Sequence, residues 1–323
     1  MAEADRDVID LAFLVALGFS FLVGAAINIF IVAVNLADWL KRRQLSDSDK
    51  VLTWIGISRL GLQITTTLTV YGVIFFQMDL LGDVRTTSKA LRFVEFFFNY
   101  SSIWFSTLLS FFYMVKIANF RHSVFVLLKE RISRFLQTLG VSCLLLAFIN
   151  TLLLFLWPTN INGLVGNSTR DLNDNATVSH TERRAFVYLF VSGNCLPLAI
   201  NAVSLTLLLV SLLLHIRQMR GGSSHSFSSP NLDKYYTAIK SMILCFLIYS
   251  VHIGIGFAGL TYSFSANIIW IQIMTNFFPT LHSLFLIIGT AKLRQQFSSI
   301  IHWAAKGFSK ESATERRPTV TIS

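Results

Sequence analysis

The sequence predicts an all-α membrane protein, a seven-transmembrane helix bundle. Three observations carry that prediction. The 323 residues are 53% hydrophobic and 14% charged, with 29 Phe, more apolar mass and less charge than a soluble domain of this size carries. Seven apolar stretches each reach the roughly 20 residues that a helix needs to cross hydrocarbon at about 1.5 Å per residue. Their apolar residues run continuously rather than alternating, which argues against a β-barrel.

The first stretch, Val8–Leu36, follows an acidic start and is too long for the apolar core of a cleavable signal, so it is read as an uncleaved anchor. A short basic turn holding Lys41, Arg42 and Arg43 leads to Ser46, a helix cap, with acids in the first turn that suit the helix dipole. The second, third and fourth spans are Val51–Met78, Lys89–Ala118 and Phe135–Trp157. Pro158–Arg183 is then the longest polar connection, with two glycosylation sequons at Asn167 and Asn175. The fifth span is Arg184–Leu214, followed by a Gly/Ser-rich linker, Gly221–Pro230. Tyr235–Tyr262 and Asn267–Thr290 complete the seven. Beyond them, Leu293, Phe297, Ile300, Ile301 and Trp303 recur near helical spacing, so Lys292–Lys306 reads as a short amphipathic helix on the inner leaflet. Residues 1–306 are thus expected to form one helical domain, and 307–323 a disordered cytoplasmic tail.

Orientation follows from the cations. Nineteen Lys and Arg flank one set of connections, seven flank the other, and Arg59 lies within the membrane. The richer side should be cytoplasmic, which puts the N-terminus outside at the plasma membrane. The net charge of +10 is then a matter of topology and lipid headgroups rather than nucleic acid. Cys143, Cys195 and Cys245 all fall inside spans and read as small core residues without a disulfide. No spacing suggests a metal cluster, a cofactor or paired catalytic carboxylates, so no enzyme is expected.

Two intramembrane charges mark functional positions, because a charge at that depth is costly and faces protein or water. Arg59 sits about two turns into the second span. Glu95 sits near the outer end of the third, four residues before Asn99 and so on the same face. An acid there can pair a cationic ligand amine; its alternative is an ion pair with a neighbouring arginine or lysine.

Seven spans fit a receptor, a pump or a channel. The inner end of the third span reads Phe112-Tyr113-Met114-Val115-Lys116-Ile117-Ala118-Asn119-Phe120, where rhodopsin-like receptors usually carry Asp-Arg-Tyr. That string resembles the bitter taste receptors (type 2 taste receptors), a divergent family of G-protein-coupled receptors. The surroundings of Arg59, the fifth-span Ser211-Leu212, His215 and Met219, the sixth-span Ala238 and Lys240, and the seventh-span Pro279, His282, Ser283 and Gly289 are similar to that family in order and spacing. Departures are Tyr235 for the family's His, Thr290 for its Asn and Glu95 for a frequent Trp.

The resemblance implies that Arg59 bridges to Asn28 and to the base of the seventh helix. It implies activation or G-protein coupling roles for Tyr113, Lys116, His215, Lys240, Pro279, His282 and Ser283. It implies a ligand pocket at Asn99, Gln272, Thr275 and His252, with Val70, Phe96 and Asn194 as walls and Glu95 biasing it toward amines. His252 stands where an aromatic switch residue is usual, and its ring could add proton sensitivity. The expected partners are small bitter agonists, cationic amines among them, and a gustducin-like or Gi-like G protein. Alternatives are a vomeronasal type 1 or other rhodopsin-like receptor, and a seven-helix channel. A retinal pump is disfavoured because the last span has no Lys.

Overall fold

The computed structural model describes residues 2–76, 84–118, 122–156, 180–221, 230–261 and 268–315. Among them are eight helices: α1 (Ala2–Arg42), α2 (Asp47–Phe76), α3 (Val84–Ile117), α4 (Ser123–Leu156), α5 (His180–Gly221), α6 (Pro230–Thr261), α7 (Ile268–Gly289) and α8 (Ala291–Glu315). The described part of each of the seven apolar stretches overlaps one of the first seven helices. By length and apolar content alone, Leu14–Arg42, Ser123–Leu156 and Gly193–Leu214 can cross a membrane, while Met242–Ile255 and Phe277–Gly289 are shorter apolar segments.

Helix α1 packs on α2 and α7, α7 on α6, and α6 on α5, while α3 lies inside and touches α2, α4, α5 and α6. The buried core accordingly centres on α3, where Tyr100, Ile103, Trp104, Leu108, Phe112 and Val115 are all at most 6% exposed.

The outer helices bury only a stripe. In α4 this stripe is Ile132, Leu136, Gly140, Cys143, Ala147, Thr151 and Leu154. Val141, Leu145, Phe148, Ile149 and Leu153 point outward at 44% exposure or more. A helix apolar on every face, with small residues on its buried side, is built for lipid outside and close backbone approach inside. Gly140 provides such an approach: a Cβ there would lie 2.6 Å from the Trp54 ring of α2.

The polar inner helices use another device. Thr65 and Thr69 of α2, and Ser101, Ser106, Thr107 and Ser110 of α3, each donate to a carbonyl one turn back. Back-bonding satisfies hydroxyls that have no water to turn to.

The α1–α2 turn follows its sequence. Arg43 adopts a φ of 55° and its N–H reaches the Trp39 carbonyl at 2.7 Å. Ser46 Oγ accepts the Asp49 amide at 3.2 Å, the expected N-cap. Burial alone would raise the Asp47 carboxyl, but hydrogen bonds with Ser133 of α4 and Lys50 hold it below its ordinary value.

One boundary differs from expectation. Helix α8 continues past Lys306, through Gly307, to Glu315. Leu293 at its start is fully buried and Phe297 meets Phe30 edge-on at 5.6 Å, whereas Ile300, Ile301 and Trp303 stay exposed.

Candidate functional site

Arg59 is 2% exposed at the centre of the bundle. Its Nη1 donates to Ser283 Oγ at 2.7 Å, its Nε to Ser102 Oγ at 3.2 Å and its Nη2 to Ser106 Oγ at 3.2 Å and to His282 Nδ1. Ser283 in turn donates to Asn28 Oδ1 at 2.7 Å, and Asn28 Nδ2 to the Gly24 carbonyl at 2.9 Å. A guanidinium can only donate, so His282 Nδ1 must accept. The ring proton then sits on Nε2, directed at Cys245 Sγ of α6. One side chain therefore ties α2 to α3 and α7 directly, to α1 through Ser283 and to α6 through His282. The expected bridge from Arg59 to Asn28 exists as a relay through Ser283. One turn outward, Gln63 of α2 donates to Thr280 of α7 at 2.9 Å.

A cavity of about 40 Å³ opens beside Arg59. Ser102, Ser106, Cys245 and His282 line it near Arg59. Asn99, Asn201, Tyr249, His252, Phe278 and Pro279 also face it, with Ile103 and Ile248 as apolar walls. His252 lies nearly parallel to Tyr249, with ring centres 6.4 Å apart, and edge-on to Phe278 at 6.0 Å. Asn99 and His252, expected for ligand, thus share one cavity with Arg59, Pro279 and His282, expected for activation. Helical rise joins them: Asn99, Ser102 and Ser106 climb one face of α3.

Other expected pocket residues fall elsewhere. Glu95 is turned to α2, where its Oε1 accepts from Thr66 at 3.2 Å, and its Oε2 is buried with no hydrogen-bond partner among the described residues. Phe96 faces α4, meeting Phe155 edge-on at 6.2 Å. Val70 packs on Leu14 and Leu17 of α1. Asn194, 1% exposed, donates to the Phe190 carbonyl at 2.7 Å and accepts from Tyr249 at 3.4 Å, joining α5 to α6 without lining the cavity. None of these four is among the residues that line the cavity beside Arg59; a helix turns each residue by about 100°, and apolar sequence does not say which neighbour it meets. The side chains of Gln272, Thr275 and His215, together with Asn167 and Asn175, lie outside the described residues.

Near the basic end of the bundle, Tyr113 is half-buried between two core clusters, Lys116 Nζ lies 5.7 Å from the Phe112 ring centre, and Lys240 is exposed. Sequence reasoning missed Lys292. Its Nζ donates to Asn35 at 2.9 Å, Asp38 at 2.8 Å and Asp49 at 3.1 Å, so all three ammonium protons tie the start of α8 to α1 and α2. It also missed Ser102, Ser106 and Cys245. The four-residue spacing of Ser102, Ser106 and Ser110 in an apolar helix was the available signal.

The profile of the taste receptor protein (TAS2R) family matches residues 6–305. The chain is 31% identical to taste receptor type 2 member 7 of Pongo pygmaeus, over 87% of this chain and 89% of that relative. Against the member 7 receptor of Pan paniscus it is 31% identical over 92% of each chain. Taste receptor type 2 member 103 of Mus musculus is 28% identical over 92% of this chain and 94% of its own length. With Arg59, His282 and Ser283 joined in one network inside a helical bundle that such a match spans almost from end to end, the chain belongs to the taste receptor protein (TAS2R) family.

Proposed function

We propose that this protein is a plasma-membrane bitter taste receptor, with seven spans and its N-terminus outside, that couples a small agonist to a gustducin-like or Gi-like heterotrimeric G protein. The observation that carries the reading is the shared cavity. Asn99 and His252 face the same space as Arg59 and His282, whose hydrogen bonds reach five helices. An agonist between α3, α6 and α7 changes what surrounds those bonds, and it can shift the receptor only through differential affinity for its two states. Rearrangement of α6 against α7 then opens a cleft at the face that carries Tyr113, Lys116, His215 and Lys240. Gln272 and Thr275 complete the agonist contacts from α7, and Asn167 and Asn175 carry glycans on the outer side.

The test is calcium release in cells that co-express this chain with a promiscuous G-protein α subunit. The panel mixes quaternary amines, alkaloids, neutral bitter compounds and carboxylic acids. Dose-dependent responses absent from mock-transfected cells support the proposal. Silence across the panel, with receptor labelled at the cell surface, overturns it.

A further inference from the structure

The cavity beside Arg59 is positively charged. Among the residues that line it, only Arg59 carries a formal charge. His282 accepts from Arg59 at Nδ1 and is therefore a neutral ring. The four acceptors on Arg59 (Ser102, Ser106, Ser283 and His282) are neutral as well. They satisfy hydrogen bonds but leave the positive charge uncompensated, and a buried ion without a counter-charge is costly to hold.

The carboxylates nearest along the two helices are engaged elsewhere. Glu95 is seven residues before Ser102 on α3, about 10 Å by helical rise, and meets Thr66. Asp49 is ten residues before Arg59 on α2, about 15 Å by the same rise, and holds Lys292. Among the described residues, no ion pair includes Arg59. A guanidinium has five N–H groups, and one on Nη1 has no protein acceptor among the described residues.

We propose that the cavity beside Arg59 is a compact-anion site, taking a halide ion or the carboxylate end of an otherwise apolar ligand. A single anion adds the missing charge and accepts the remaining Nη1 proton. Asn99 and Asn201 supply further amide donors at the cavity wall, and Ile103, Ile248 and Phe278 offer apolar contact to a ligand body. The space of about 40 Å³ suits this occupant: it exceeds the 10–15 Å³ or so that one water needs but is far below the 300 Å³ or more of a pocket enclosing a drug-sized molecule. The inference rests on the reading of this cavity as the agonist site, and it reverses the charge preference that Glu95 suggested. A cation here would meet a fixed cation, while Glu95, the acid nearest to it along α3, is turned to Thr66 of α2.

The experiment uses the purified full chain in nanodiscs at constant ionic strength, and reads the unfolding temperature while gluconate is replaced by chloride, by benzoate, or by gluconate with added neutral benzamide. No G protein is involved, so failure here leaves the receptor assay standing, and silence in that assay leaves this result standing. Chloride and benzoate are each expected to raise Tm saturably, with benzoate acting at roughly one-tenth or less of the benzamide concentration, since a factor of ten is about 1.4 kcal/mol. A chloride effect without a benzoate effect assigns the site to a free ion; benzoate without chloride assigns it to a ligand headgroup. Equal Tm in all four media, or a rise that grows linearly without saturating, overturns the site. Arg59→Met should abolish both responses. Should that variant not fold, Ile103→Trp fills the cavity without touching the charge and should abolish the saturable response as well. Persistence of the response in either folded variant also overturns the proposal.

Discussion

Arg59 and Ser283, 224 residues apart in sequence, meet at 2.7 Å in the middle of the bundle, and Ser283 passes the connection to Asn28 at the same distance. The serine hydroxyl has a single proton, which it gives to Asn28, so its oxygen is free to accept from the guanidinium. Removing that hydroxyl leaves a buried cationic donor and a buried amide oxygen each short of a partner.

Ser283→Ala should therefore destabilise the protein by about 1–3 kcal/mol, with Ser102→Ala toward the low end because it strips only one acceptor from Arg59. Thermal unfolding of the purified variants checks the ranking. Equal, negligible losses would mean that the relay to Asn28 does not form.

Glu95→Gln is expected to leave stability unchanged or to raise it. The carboxylate presents a buried Oε2 with no partner among the described residues, and an uncharged amide costs less to hold there. Agonist ranking should not change between cationic and neutral compounds. A selective loss of cationic agonists in the calcium assay would return Glu95 to the ligand site.

Lys292→Met should loosen the start of α8. Its side chain is 27% exposed, and its pairs with Asp38 and Asp49 are worth little each, about 0–1 kcal/mol for pairs of this kind. The global unfolding temperature should move only slightly, while amide exchange over Ala291–Phe297 quickens. Unchanged exchange there would show that Leu293 alone holds the helix down.

Gly140→Val places a side chain where the Trp54 ring already stands, so one of the two must shift. The expected loss is about 1–3 kcal/mol. Trp54→Leu in the same chain should recover part of it, and a double-mutant cycle measures the recovery. Strictly additive losses would separate the two residues.

Several parts of this structure were legible from one-dimensional signals. The first seven helices could be placed because each holds a long run of apolar residues, and such a run is visible without knowing any neighbour. Ser46 as a cap and the amphipathic start of α8 were visible for the same reason: each depends on residues three or four apart on one helix. Arg59 stood out because a charge at membrane depth needs company, and the order of motifs around it pointed to a family that the profile match then bore out.

Facing was not legible. Glu95 and Asn99 share one face of α3 by spacing, yet one meets Thr66 of α2 and the other lines the cavity, because α3 sits inside the bundle and each turn of it touches more than one neighbour. Phe96 and Val70 were drawn toward α4 and α1 by the same packing. Lys292 looked like one of many inner-side cations until the tertiary structure brought Asn35, Asp38 and Asp49 around it. The sequence by itself determined which segments are helices and which residues are too costly to sit in lipid, since hydropathy and helical period are local properties of the chain. Only the tertiary structure decided which helix each buried side chain meets and which charge faces the cavity, since those depend on contacts between residues hundreds of positions apart.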